Sequence, residues 1–248
     1  MKGKVAIVTG GGSGIGRATC NELAALGVNV IVADVNEYGA QKTCGHILER
    51  GFDAIALKTD VSVKSEVEDM VEFAADRFGR VDILINNAGI GGALTFMEDY
   101  SDESYEEVVA VNQTGVWYCM KAVLPIMKKQ KDGTIVNVSS VAGISASPRM
   151  SAYAASKHAV VGLTRAAASE YGKFNIRINA VCPTVTDTEM GRSYINANPE
   201  ALEMVRHLTP MKRFGSADEV ARFITWLAGD SNTFITGQVL PIDGGLTS

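Results

Sequence analysis

Two ionisable side chains spaced four positions apart, Tyr153 and Lys157, are the first candidates for chemistry in this sequence. They fall in a predicted helix, where residues at i and i+4 share one face. A free tyrosine has a pKa of about 10, which is too high for an efficient base at neutral pH. Because a lysine cation favours the phenolate, we expect Lys157 to lower the pKa of Tyr153 and allow proton exchange with a substrate oxygen. Taken alone, the same spacing is also that of an exposed helical pair.

A hydroxyl group that could assist Tyr153 lies 13 or 14 positions before it, where Ser139 and Ser140 follow the stretch 134–138. That stretch is a predicted strand, so the hydroxyl sits at the strand's carboxyl end. A donor there can stabilise negative charge that develops on a substrate oxygen. The chemistry by itself does not choose between Ser139 and Ser140.

A glycine-rich segment, TGGGSGIG over 9–16, joins the first predicted strand to the first predicted helix. Its pattern is G-x-x-x-G-x-G, and glycine permits positive φ and a close approach of backbone N–H groups to a pyrophosphate. We expect a dinucleotide to contact Gly10, Ser13, Gly14, Ile15 and Gly16. No Gly-Lys-Ser/Thr follows, which disfavours a nucleotide triphosphatase. A glycine-rich turn without a ligand is the alternative interpretation.

An acidic residue, Asp34, ends the second predicted strand 18 positions after Gly16. A carboxylate at this place can accept hydrogen bonds from the adenosine ribose hydroxyls. It would repel a 2′-phosphate, and the glycine loop holds Ser13 where a compensating cation could stand. The sequence therefore predicts NAD rather than NADP, unless Asp34 only forms a turn.

The elements that must position these residues alternate along the whole chain. Strands are predicted over 5–9, 28–33, 54–57, 81–85, 134–138, 176–181 and 238–242. Helices are predicted over 15–26, 37–50, 63–78 (with Ser62 as N-cap), 104–129, 152–171 and 217–227. Short strands that are apolar on both faces indicate a parallel sheet covered by helices on both sides. We expect one doubly wound, Rossmann-type α/β domain of about seven strands over 1–248, with an irregular substrate loop at about 184–213.

Composition narrows the class of protein. The 248 residues are 46% hydrophobic and 21% charged with a net charge of −5, and nucleic-acid-binding proteins usually carry a basic excess. No apolar run approaches the roughly 18 residues of a membrane span, and the first residues lack the pattern of a secretory signal. We therefore expect a cytoplasmic protein with no nucleic-acid or membrane partner. Four scattered cysteines look like reduced core residues, and no His/Cys/carboxylate cluster predicts a metal site: Cys20, Cys44, Cys119 and Cys182.

The order and spacing of several motifs resemble the short-chain dehydrogenase/reductase family over essentially the whole length. The motifs are the glycine loop, Asp60-Val61, Asn86-Asn87-Ala88-Gly89, Asn112, Ser140, Tyr153-x-x-x-Lys157, Pro183 with Thr188, and Ile242-Asp243-Gly244-Gly245. Any one of them is a weak signal, whereas their combination is specific.

The resemblance implies a role for each motif. Asp60 and Val61 would flank the adenine, and Asn87, Ala88 and Gly89 would lie along the cofactor and stabilise the sheet. Lys157 would also hold the nicotinamide ribose, and Pro183, Thr186 and Thr188 would contact the nicotinamide side. The family spacing selects Ser140 as the assisting hydroxyl and makes Asn112 the anchor of a water that relays protons to Lys157. Thr184 stands where the family usually has glycine, and we expect its side chain to narrow the substrate site.

The function implied is hydride transfer between NAD(H) and the carbinol or carbonyl carbon of a small secondary alcohol or ketone, with Tyr153 as general acid and base. A homotetramer is the usual assembly of the family. Met190, Tyr194, Ile195 and Leu208 suggest a partly apolar substrate pocket. Two alternatives stay open: a 3-oxoacyl-thioester reductase, which would usually prefer NADPH, and a non-enzymatic dinucleotide-binding regulator.

Overall fold

The computed structural model describes residues 1–192 and 199–248 of the chain. Its centre is a seven-stranded sheet in the order β3-β2-β1-β4-β5-β6-β9, and every pairing in it is parallel. These strands are β1 Val5–Thr9, β2 Asn29–Asp34, β3 Ala54–Lys58, β4 Ile83–Asn86, β5 Gly133–Val138, β6 Ile176–Pro183 and β9 Val239–Ile242. Two short strands, β7 Thr186–Asp187 and β8 Gly215–Ser216, form a separate parallel pair. The predicted parallel sheet of about seven strands is confirmed.

Helices cover both faces of the sheet, as predicted. They are α1 Gly14–Ala25, α2 Glu37–Glu49, α3 Lys64–Phe78, α4 Asp102–Val109, α5 Gly115–Gln130, α6 Ser151–Tyr171, α7 Pro199–Leu208 and α8 Ala217–Ala228. Two apolar clusters pack these helices on the sheet, one on each face. Ile7 points into the cluster shared with α3, α5 and α6, whereas its neighbours Ala6 and Val8 point into the cluster shared with α1, α2 and α8. The helix α6, which carries Tyr153 and Lys157, therefore lies on the face of the sheet to which Ile7 points.

Three local predictions are wrong. The helix predicted over 104–129 is divided by a π-helical turn, Ala110–Thr114, because the side chain of Asn112 is drawn into bonds with Ile90. The segment 184–213 is not wholly irregular, since it contains α7. Ser62 does not cap α3: its hydroxyl donates to Asp60 Oδ1, and the helix begins at Lys64.

The sheet order reverses direction between β1 and β4, which lie side by side. In open α/β sheets ligands bind at such a switch point, beyond the carboxyl ends of the strands. The strand register brings the ends of β1, β4, β5 and β6 to the same edge, where the predicted motifs follow each strand. No helix in the described ranges is long and apolar enough to cross a membrane. All four cysteines are free and buried, as predicted.

Candidate active site

The glycine loop is fixed by contacts that leave no room for side chains. Gly10 and Gly14 have φ values of +63° and +48°, in the left-handed region that favours glycine. A Cβ built on Gly16 would lie 2.0 Å from the carbonyl oxygen of Gly10. Asn87 Nδ2 donates to the carbonyl oxygens of Thr9 and Gly10, at 3.0 and 3.1 Å. The residue types at these positions are therefore set by backbone packing.

The start of α1 fits a diphosphate. The side chain of Ser13, the N-cap residue, is exposed and makes no capping hydrogen bond, and the first turn contains no acidic residue. The first N–H groups of a helix have no intrahelical partner and carry partial positive charge. Together with Gly14, Ile15 and Gly16 in the first turn, they form the kind of cradle that binds anionic phosphates.

Asp34 lies directly against the glycine loop. Its Oδ2 accepts a hydrogen bond from Gly12 N at 2.8 Å, and its Oδ1 accepts one from Asn36 N at 2.8 Å. A Cβ on Gly12 would come within 2.8 Å of Oδ2, so a close approach to the carboxylate requires glycine there. Each carboxylate oxygen retains a lone pair that could accept from a ribose hydroxyl.

Arg17 is a cation near this region that the sequence analysis missed. Its guanidinium donates to the carbonyl oxygen of Gly12 and to Thr43 Oγ1. It was missed because it lies in the first turn of α1 rather than inside the loop. An arginine following a glycine loop was the available signal.

The other residues predicted to contact the cofactor lie along the same edge. Thr9 Oγ1 accepts from the backbone N–H groups of Asn87 and Ala88, which ties the end of β4 to the end of β1. Asp60 Oδ1 accepts from the backbone and hydroxyl of Ser62, and Val61 is buried against the first residue of α5.

Asn112 is fully buried, and its side chain is occupied by protein. Its Nδ2 donates to the carbonyl oxygen of Ile90 at 2.9 Å and to Ser156 Oγ at 3.1 Å, and its Oδ1 accepts from Ile90 N at 2.8 Å. A Cβ on Gly89 would lie 3.1 Å from this Oδ1 and 3.5 Å from Lys157 Nζ. Because both amide hydrogens are used, a water beside Asn112 could be held only by acceptor atoms of this residue, such as its backbone carbonyl oxygen.

The structure distinguishes the two serines. Ser139 Oγ donates to the backbone carbonyl of Lys157 at 2.9 Å, so it holds α6 against β5. Ser140 Oγ donates to the carbonyl oxygen of Pro183 at 3.5 Å and accepts from Ala142 N, and it lies close enough to the phenol of Tyr153 to lower its pKa. Ser140 is therefore the hydroxyl that meets Tyr153, in agreement with the family spacing.

The expected lowering of the pKa of Tyr153 by Lys157 is not what the structure shows. Burial raises the pKa of the Tyr153 phenol, and the nearby hydroxyl of Ser140 opposes this. Lys157 is 4% exposed and donates to the carbonyl oxygen of Val138 at 2.9 Å, and its Nζ lies 5.6 Å from the centroid of the tyrosine ring. Burial lowers the pKa of Lys157 to about 8. Desolvation is therefore the largest cause of the pKa shift of each group.

The segment after β6 folds back toward the glycine loop. Thr186 Oγ1 donates to the carbonyl oxygen of Thr184, and Thr188 N donates to the carbonyl oxygen of Thr186 at 2.7 Å. A Cβ built on Gly14 would lie 3.2 Å from Thr188 Cγ2. The residues that follow Pro183 thus return to contact the glycine loop at Gly14.

The predicted substrate pocket is only partly described. Met190 and Leu208 are 47% and 57% exposed, whereas Tyr194 and Ile195 lie outside the described residues. The tail anchors the far end of this segment, because Gly244 accepts a hydrogen bond from Met211 N at 3.2 Å. The described residues contain no group of three or more His, Cys, Asp or Glu side chains that could hold a metal ion.

Comparison with known proteins gives matches over the whole chain. A family model described as enoyl-(acyl carrier protein) reductase matches residues 10–247. Levodione reductase of Leifsonia aquatica is 41% identical, with 98% of this chain and 93% of that protein covered. Cyclohexanol dehydrogenase of Acinetobacter sp. (strain SE19) is 40% identical, with 99% and 95% covered. The 3-oxoacyl-[acyl-carrier-protein] reductase of Thermotoga maritima is 38% identical, with 99% and 98% covered.

Solved structures agree closely with this fold and include both nicotinamide cofactors. NAD⁺-bound xylitol dehydrogenase superposes with a TM-score of 0.95 at 34% identity, with 98% of this chain and 99% of that chain covered. An actinorhodin polyketide ketoreductase variant with NADPH gives 0.93 at 34% identity, with 98% and 97% covered. Nicotinamide dinucleotide binding is common to these proteins, and the choice between NAD and NADP differs among them.

Proposed function

Because the chain belongs to the short-chain dehydrogenase/reductase family, we propose that this oxidoreductase is an NAD(H)-dependent alcohol dehydrogenase or ketone reductase acting on small secondary alcohols and ketones. One observation carries the proposal: Ser140, Tyr153 and the buried Lys157 come together at one place, with Lys157 Nζ 5.6 Å from the centroid of the Tyr153 ring and Ser140 close enough to the phenol to lower its pKa. This set stands at the strand ends, opposite a glycine loop that fits a diphosphate.

The three side chains divide the work on the substrate oxygen. The nicotinamide, when bound, supplies or accepts the hydride. The hydroxyl of Ser140 holds the carbonyl oxygen and stabilises the charge that develops on it. Tyr153 donates its proton to that oxygen during reduction and removes the proton during oxidation. The raised pKa of Tyr153 keeps the phenol protonated at neutral pH, the state that reduction requires.

Lys157 is suited to resupply that proton. With a pKa of about 8, it exchanges a proton near neutral pH much more readily than an exposed lysine does. A water bound by the backbone of Asn112 would connect it to solvent. Lys157 would also hold the ribose of the nicotinamide, next to Gly89.

The proposed preference for NAD rests on Asp34. Its carboxylate is aimed at the glycine loop by two backbone hydrogen bonds, so a 2′-phosphate would meet a fixed negative charge. The guanidinium of Arg17 reduces this repulsion less than its sequence position suggests, because its donors are directed at Gly12 and Thr43. Asp60, Val61, Asn87, Ala88, Pro183, Thr186 and Thr188 complete the proposed cofactor site.

The substrate class follows from the relatives. Levodione reductase and cyclohexanol dehydrogenase are named for small carbonyl and alcohol substrates, and a cyclic alcohol or ketone is the form that we propose for this chain. A second candidate is a 3-oxoacyl-thioester reductase, which the 38% identical relative favours. That enzyme would turn over an acetoacetyl thioester with NADPH.

We also propose that residues 1–248 form one catalytic unit that assembles as a homotetramer in the cytoplasm. Large exposed aromatic side chains support burial between copies: Trp117 on α5 and Trp226 on α8 are half exposed, and Phe234 is fully exposed. The four free cysteines fit a reducing compartment. Light scattering of the purified chain would give the assembly directly.

The test is steady-state oxidation of NADH and, separately, of NADPH with cyclic ketones, linear ketones and an acetoacetyl thioester. We expect turnover with NADH and cyclic ketones, and loss of at least a hundredfold in kcat for Tyr153→Phe. Tyr105→Phe, at an exposed tyrosine on α4, is the matched control and should keep full activity. Turnover confined to the thioester with NADPH would replace this proposal by the second candidate.

A further inference from the structure

Thr184 lies on the same side of the sheet as Tyr153. Alternate residues of β6, Ile176 and Ile178, pack in the cluster that includes α6, whereas Val181 packs in the opposite cluster. Cys182 follows Ile176 and Ile178 in this alternation and lies on the same face. Its thiol is close enough to Tyr153 and Lys157 to affect the pKa of both.

The extended pairing continues beyond Cys182. Thr184 N still donates to the carbonyl oxygen of Ile242, at 3.3 Å, one residue past the end of β6. Because side chains alternate along a strand, Thr184 is the next residue on the face of α6, toward the open end of the cleft. Its neighbour Pro183 lies beside Ser140, whose hydroxyl approaches the proline carbonyl oxygen at 3.5 Å.

The hydroxyl of Thr184 is buried and has no hydrogen-bond partner among the described residues. Its backbone groups are both used, since the carbonyl oxygen accepts from Thr186 Oγ1 at 2.9 Å. Burying a hydroxyl without a partner destabilises a protein, so such a group calls for an explanation. Because the hydroxyl is closed to solvent in this rotamer, it reaches a ligand by turning about χ1, and a threonine side chain has more than one staggered rotamer.

We propose that the Thr184 hydroxyl binds a second oxygen of the substrate, so that the enzyme acts on ring alcohols or ketones carrying a further hydroxyl or carbonyl group. The inference rests on the proposed function. Ser140 and Tyr153 hold the reacting oxygen, and Thr184 holds the other. A threonine hydroxyl can donate to a carbonyl or accept from a hydroxyl, so both kinds of second oxygen fit.

The test compares cyclohexanone with its 2-, 3- and 4-hydroxy derivatives in the wild type, Thr184→Val and Thr184→Ser. Valine keeps the shape and removes the hydroxyl, whereas serine keeps the hydroxyl. We expect the wild type to prefer one hydroxycyclohexanone. Thr184→Val should lose about tenfold in kcat/KM for that substrate, the loss expected for one neutral hydrogen bond. Its kcat/KM for cyclohexanone and its KM for NADH should stay unchanged.

Three results would overturn the inference while leaving the proposed function intact. Equal losses with cyclohexanone and its hydroxy derivatives would assign Thr184 to general packing. A raised KM for NADH would assign the hydroxyl to the cofactor. A lower melting temperature in Thr184→Val would show a partner within the protein, since removal of an unpartnered hydroxyl should leave the stability equal or higher. If the wild type turned over no ketone at all, both the proposed function and this inference would be refuted.

Discussion

Gly14 and Thr188 meet across the cleft, but the two segments that carry them are fixed by different means. The glycine loop is held by backbone contacts: Gly16 packs on the carbonyl oxygen of Gly10, and Asn87 bonds the loop directly. The described residues just after β6 are held largely by local bonds among Thr184, Thr186 and Thr188, and Met190 and Met204 farther along expose large side chains. The glycines of the loop are fixed by close backbone contacts, whereas exposed side chains such as Met190 and Met204 can change with little effect on the fold.

This difference matches a division of labour. A dinucleotide is the same molecule in every turnover, so its site can be specified by backbone geometry. Substrate choice depends on side chains that can change without disturbing the sheet. The following substitutions test whether the two regions differ as strongly as their contacts indicate.

The largest effect is expected at Gly16. In Gly16→Ala the new Cβ would meet the carbonyl oxygen of Gly10 at 2.0 Å, so the loop must move. We expect NADH to bind at least about a hundredfold more weakly and the free energy of unfolding to fall by about 2–3 kcal/mol. Fluorescence titration and thermal unfolding would measure both. Gly45→Ala, at a helical glycine with open space around it, should be neutral or stabilising, and unaltered NADH binding by Gly16→Ala would contradict the account.

Lys157→Met should separate activity from stability. We expect kcat to fall about a hundredfold or more, because the proton supply and the ribose contact are lost. The buried cation has a pKa of about 8 in the folded protein against its ordinary value of 10.5, so the unfolded chain binds the proton more tightly. Charged Lys157 therefore opposes folding at neutral pH, and the variant should gain about 1–2 kcal/mol there.

The pH dependence gives the sign of this effect. The penalty is complete below pH 8, declines as the pH rises from about 8 to 10.5, and is gone above that window. Urea unfolding of both proteins across this range would measure it. A variant that is less stable than the wild type at pH 7 would show that Lys157 stabilises the fold.

Asp34→Asn should change the choice of cofactor by a smaller factor. We expect kcat/KM with NADPH, relative to NADH, to rise about tenfold, because the fixed charge facing a 2′-phosphate is removed. Adding Arg17→Gln should cancel part of that gain if the guanidinium can turn toward the phosphate. If Asp34→Asn left the ratio of kcat/KM for NADPH to that for NADH unchanged, Asp34 would not determine the preference for NAD.

The smallest effect is expected at Met204 in α7, a side chain that is 63% exposed. Met204→Ala should change the free energy of unfolding by less than about 0.5 kcal/mol and shift the relative kcat/KM among ketones only a few-fold. The matched control is Met70→Ala, at a methionine 2% exposed in the core, which should cost about 2–5 kcal/mol. A large loss of stability in Met204→Ala would show that the segment containing Met204 tolerates substitution no better than the glycine loop does.

The same contrast explains how far the sequence could be interpreted. The parallel sheet and the glycine loop were predictable, because apolar periodicity and the requirement for glycine depend on residues that are close together in the sequence. The π-helical turn at Asn112 was not, since it depends on bonds with Ile90, which is 22 positions away. The pKa of Tyr153 was predicted in the wrong direction, because spacing reveals a neighbouring charge but not the burial that outweighs it. Neither the orphan hydroxyl of Thr184 nor the direction of Arg17 can be deduced from residue order.

The most direct test of the central claim follows the transferred hydrogen. NADH carrying deuterium at C4, in either stereochemical position, is incubated with cyclohexanone, and the alcohol formed is analysed by mass spectrometry. We predict that one of the two labelled forms places deuterium on the carbinol carbon with the wild type, and that Tyr153→Phe forms almost no alcohol. Alcohol formed at the wild-type rate by Tyr153→Phe, or NADH consumed with no label in the product from either labelled form, would contradict the mechanism.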